Sequence, residues 1–224
     1  MKWKFIPGIC AATAVLLMGD SLHAQVLLPQ LKKGDAAEAM NNARQIGLCL
    51  LEFELEYGGF PSDASRAAVE EATGVTMPAA DKTSNSLLRQ LFAAGIIQNE
   101  AAFFAKVPGV KKGDGVIVKE KALEQGENAF AYVAGLSTAG NPGRPILLCP
   151  LVPGTTTFDP KPFGGKALVL RLDNSVQMLT IEKDGTVKDK GVDLLSSEHP
   201  VWGGKAPDIR HADLLPKEEV SDGR

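Results

Sequence analysis

Side chains able to do covalent or metal chemistry are few in this sequence. Histidine occurs at His23, His199 and His211, and cysteine at Cys10, Cys49 and Cys149. A nucleophilic Cys149 with His199 or His211 as its base is the one catalytic pairing this inventory offers. Cys149, however, lies in the apolar run PILLCPLV, where a packed thiol or a disulfide is the commoner use of the residue. There is no Gly-Xaa-Ser-Xaa-Gly elbow, phosphate-cradling glycine loop or zinc spacing of cysteines and histidines. The expectation is therefore no enzyme and no cofactor. Carboxylates gather in EKDGTVKDKGVD, where Asp184, Asp189 and Asp193 offer oxygen ligands. Calcium needs six or more oxygens, and three lysines stand among these acids, so a solvated turn is expected and no metal.

The charge balance points the same way. Lys and Arg number 24 against 27 Asp and Glu, for a formal charge of -3, which leaves no basic excess for phosphate and speaks against a nucleic-acid partner. The first residues, MKWKFIPGICAATAVLLMGDSLHA, have two lysines, a short apolar run and a polar end. That three-part plan is a secretory signal peptide over residues 1–24, with the mature chain starting near Gln25. The apolar run is too short to span a bilayer comfortably, so no stable membrane span is expected after cleavage. An exported protein follows, in the periplasm, outer envelope or extracellular space. Cys49 and Cys149 are the cysteines left after cleavage, and an oxidising compartment invites a disulfide between them. Two buried thiols are the alternative.

The elements that must position these residues can be read from periodicity. Asp35 with Glu38 forms a capping-box pattern ahead of a helix to Tyr57. Ala39, Ala43, Ile46, Leu50, Phe53 and Tyr57 share one stripe of it. Leu48, Cys49, Leu51 and Leu55 make its middle apolar almost all round, so cover on more than one side is expected, from a sheet and from small helices. Gly58, Gly59 and Pro61 end it. Asp63 is placed to cap ASRAAVEEATG, Thr83 or Ser84 to open NSLLRQLFAAG, and Asn99 to open EAAFFAKV. After Gly113 the period turns to alternation, and GVIVKEK, NAFAYVAGL, RPILLCPLV, KALVLRLD and SVQMLTIE are strand candidates. Asp173-Asn174 suits a hairpin turn that pairs the last two antiparallel. The Pro- and Gly-rich segment 153–165 is expected to be a surface loop. Phe158, Phe163 and Trp202 are either exposed anchors or core aromatics, core being the commoner fate. The fold class is α+β: a long N-terminal helix packed against a four- to five-stranded antiparallel sheet, with small accessory helices. The domain occupies 25–206, and 207–224 reads as a frayed tail.

The segment LLPQLKKGDAAEAMNNARQIGLCLLEFELEYGGFP resembles the part of type IV pilin-like and type II secretion pseudopilin-like proteins that follows their membrane segment. The positions that carry the likeness are Leu27, Leu28, Pro29, Asn41, Asn42, Gln45, Ile46, Gly47, Leu48, Phe53, Tyr57, Gly58, Phe60 and Pro61. SLLRQLFAAGIIQNEAAFF and ALVLRLDNSVQMLTIEKDG are similar to the helix pair and terminal hairpin of secreted pilin-like proteins. The sequence departs from a prepilin at its start, where Thr13 stands in place of the glutamate expected at the fifth residue after Gly8, and Asp20, Ser21, His23 and Gln25 interrupt the apolar run. Such polar insertions are costly in a fibre core. The resemblance implies a non-catalytic exported protein on the pilin plan, a structural, accessory or binding component of a type IV pilus-like or type II secretion-like system. Its partners would be envelope, pilus or secretion proteins. A free periplasmic or extracellular binding module for a glycan, peptide or host surface is the alternative.

Overall fold

The computed structural model describes residues 19–118 and 121–216, with side chains from Lys33 onward. The apolar leader therefore lies largely outside the described residues, and the expected cut after Ala24 falls within the span of the first helix. That helix, α1, runs Gly19–Tyr57. Ala39, Ala43, Ile46, Leu50 and Phe53 are fully buried along it, so the three- and four-residue spacing does mark the core stripe. Gly58 takes φ +77° and returns its N–H to the Glu54 carbonyl at 2.8 Å, which stops the helix. The start differs from expectation. The chain before Asp35 is already helical, so Asp35 has no free first-turn N–H groups to accept from, and it forms an ion pair with Lys106 at 3.4 Å.

Three short elements follow. Helix α2 spans Arg66–Thr73 and opens at Ser65, not at Asp63, because the Asp63 carboxylate is engaged by Arg210 at 2.9 Å. Helix α3 spans Ser84–Ala93, and the Thr83 hydroxyl accepts from Ser86 N–H at 3.2 Å as an N-cap. Leu87, Leu88, Leu91 and Phe92 are all buried on it. Asn99 opens only a 3-10 helix, Glu100–Phe103. GVIVKEK forms no strand among its described residues.

Strands β1 (Ala131–Val133), β2 (Pro145–Cys149), β3 (Lys166–Arg171), β4 (Val176–Thr180) and β7 (Ile209–Arg210) build one antiparallel sheet in the order β4-β3-β2-β1-β7. The β3–β4 hairpin turns at Asn174, at φ +60°, as the Asp-Asn pair predicts. A small hairpin of β5 (Lys188–Asp189) and β6 (Val192–Asp193) stands apart. The supposed frayed tail is a correction. Residues 209–210 are an edge strand on β1, and Leu215 N–H reaches the Gly109 carbonyl at 2.9 Å.

The sheet is covered on both faces. Leu168 and Leu170 join the core under α1, whereas Ala167 and Val169 point to a second cluster with Phe158, Leu194 and Trp202. This is the period-2 alternation of a strand buried on both sides. Phe158, Phe163 and Trp202 are buried, so they are core and not exposed anchors. Helix α1 can lie close to the β3–β4 hairpin because residue 47 is glycine. A Cβ there would sit 2.1 Å from Asn174 Oδ1 and 3.1 Å from Leu170 Cδ2.

Candidate functional site

Helix α1 presents a second stripe away from the sheet. Asn41, Gln45, Leu48, Glu52 and Leu55 follow one another at three- or four-residue spacing and are all exposed. Leu48 is 56% exposed and Leu55 88%. The cover expected from a sheet and from small helices is present, but it does not reach this stripe. The sheet, α3 and the 3-10 helix cover one side, and the two leucines, one heptad apart, are left in water. Single exposed leucines are ordinary. Two on one stripe of the helix that also carries the main core stripe make a surface with an apolar seam. Covering both would contribute on the order of 2–4 kcal/mol.

A second constellation is built from parts far apart in sequence. Glu100 on the 3-10 helix, Asp114 in the following loop and Glu127 before β1 each bring a carboxylate oxygen within 4.8 Å of the other two. Glu100 is 1% exposed and Glu127 0%. Glu100 accepts from Gly115 N–H at 2.9 Å and from Leu123 N–H at 2.8 Å. Glu127 Oε2 accepts from Glu124 N–H at 2.8 Å, while its Oε1 has no hydrogen-bond donor. Lys111 Nζ stands 3.4 Å from that oxygen as an ion pair, without hydrogen-bond geometry. Burial pushes the Glu100 carboxyl above the usual glutamate range. The two amides act against that shift, and the charges of Glu127 and Asp114 add to it. Two ionised carboxylates at this separation repel by on the order of 3 kcal/mol at an effective dielectric near 20. Lys111 offsets part of that.

The residues singled out from sequence do not converge. Cys149 is a fully buried free thiol in β2, pushed up by burial. Cys49 is a half-buried free thiol on α1, pushed up by burial and then by the Glu52 charge. In this structure the two thiols are free, without the disulfide considered between them. A thiol with a raised pKa holds its proton and is a poor nucleophile. His199 is buried with Asp189 4.0 Å from its Nε2, while its Nδ1 accepts from Val201 N–H. His211 is lowered by burial.

Asp184, Asp189 and Asp193 are separately engaged. The first takes Thr186 N–H, the second Arg171 at 3.0 Å and the third Leu195 N–H. An apolar groove of about 790 Å³ lies beside α3, lined by Met77, Pro78, Phe92, Ile97 and Ile117. Among the described residues Arg89 is the one titratable side chain lining it, and its guanidinium donates to the Ala122 and Leu123 carbonyls. Comparison with protein-family models, curated proteins and solved structures found no match.

Proposed function

We propose that this protein is a non-catalytic, exported, pilin-like component that works beside a type IV pilus-like or type II secretion-like system. The observation that carries the reading is the divided character of α1. One face is fixed to the sheet by Ala43, Ile46, Leu50 and Phe53, and the other offers Leu48 and Leu55 to water on a polar stripe. A helix apolar on two sides gains stability only when something outside the domain covers the second side. The charges on α1 are mixed toward its start, where Asp35 and Glu38 stand between Lys33 and Arg44, and acidic toward its end at Glu52, Glu54 and Glu56. The part of the pilin-like segment from Leu27 to Tyr57 falls on this same helix. Among the described residues no helix is long and apolar enough to cross a membrane.

The test is site-specific photocrosslinking in the native cell, with a photoreactive residue in place of Leu48 or Leu55 and mass-spectrometric identification of the adduct. The expected adduct is a pilin-type or secretion-system protein, lost when the other leucine is changed to Glu. Crosslinks absent from both positions, together with saturable binding of the purified domain to a glycan or peptide, would replace this reading with that of a free binding module.

A further inference from the structure

We infer that Glu100, Asp114 and Glu127 form a binding site for a hard divalent cation, with calcium preferred. Oxygens on opposite sides of a calcium ion, each about 2.4 Å from it, are about 4.8 Å apart. The three carboxylates lie within that span of one another. Proximity of acids alone would not carry the assignment. The independent observation is Glu127, whose side chain is completely buried, brings a carboxylate oxygen into the cluster and leaves its Oε1 without a hydrogen-bond donor. Burying an ionised oxygen unbonded is costly, and the ammonium of half-exposed Lys111 at 3.4 Å compensates it only as a loose ion pair.

The surrounding chain holds the trio in place. Gly115 and Leu123 amides fix Glu100. Gly113 lets the loop close on it, since a Cβ there would lie 2.5 Å from Glu100 Cβ and 2.6 Å from Oε2. Asp114, next in the chain, is thereby delivered to the same point from the solvent side. An all-carboxylate donor set with no sulfur or imidazole selects a hard cation. Ligands drawn from a loop and a turn, with one side open for waters, suit the adaptable coordination of calcium better than the strict octahedron of magnesium. Lys111 acts as the resident competitor. Three carboxylates and one ammonium leave the site net negative, and the half-exposed lysine can swing outward when a dication enters.

The inference does not depend on the proposed function. Its test uses the full chain stripped of metal by a chelator, titrated with CaCl2 or MgCl2 in a calorimeter and followed by thermal unfolding. One calcium per chain should bind with a dissociation constant near the sub-millimolar to millimolar range of extracellular sites, raising Tm by a few degrees at saturation, with magnesium weaker. Asp114→Asn keeps the oxygen that accepts from Val116 N–H and removes a charge that repels Glu100, so it should not lower the metal-free Tm and should weaken calcium at least ~10-fold. Lys111→Met should tighten calcium. Absence of saturable binding up to about 10 mM calcium, or an Asp114→Asn protein that binds as tightly as the parent, would overturn the site.

Discussion

Glu100 makes the acidic cluster a source of pH dependence. Its carboxyl is held above its ordinary range, first by burial and then by Glu127 and Asp114, with Lys111 as the facing cation. The unfolded chain releases this proton at a lower pH than the folded chain does. Between the two values the folded state binds more protons, so stability is complete below the unfolded value and falls as pH rises toward the folded one. The contribution of this group to the stability of the metal-free protein should therefore be lost from about pH 4 upward, with a slope of at most about 1.4 kcal/mol per pH unit. Glu100→Gln should flatten that part of a urea-midpoint profile, and an unchanged slope would assign it elsewhere. The thiols give a second prediction at this scale. Without reductant, iodoacetamide should label Cys49 slowly and Cys149 not at all in folded protein, and both after unfolding. An unfolded chain in which neither takes label would mean a disulfide. None of the acidic trio is marked by the sequence, because Glu100, Asp114 and Glu127 are separated by a loop and a turn and no ligand spacing links them.

Among the elements, those with a local signal are legible in the sequence and those defined by distant partners are not. Thr83 as a cap, the Asp173-Asn174 turn and the buried stripe of α1 each follow from a few neighbouring residues, and each is present. Asp63 does not cap α2 because Arg210, far along the chain, competes for its carboxylate. Strand β7 escapes a periodicity reading because two residues carry no period. It is specified by what it meets: Tyr132 and Val133 pair with it, Ser84 N–H donates to the His211 carbonyl at 2.8 Å, and Gly126 N–H to the Asp213 carbonyl at 2.7 Å. Deleting 207–224 strips these acceptors and bares the β1 edge. The loss should be about 3–5 kcal/mol in urea unfolding, at about 1 kcal/mol for each bond lost plus packing, with self-association through the open edge. An unchanged midpoint and a monomeric product would show that the segment is dispensable.

For the molecule as a whole, the sequence by itself determined the α+β class, the antiparallel hairpin and the helix stripe that meets the sheet, because these rest on periods of 3.6 and 2 and on turn residues that act locally. Only the tertiary structure decided which apolar residues are covered. Leu48 and Leu55 have the same hydropathy as their buried neighbour Leu50, yet they face away from the sheet and stay in water. Conversely, Trp202 and Phe158 lie outside the main sheet's strands and are buried because the β5–β6 hairpin and its flanking loops close the sheet's second face. The carboxylate trio has the same origin. Burial and convergence are properties of how surfaces meet, and a chain encodes them through contacts between residues that its linear order keeps apart.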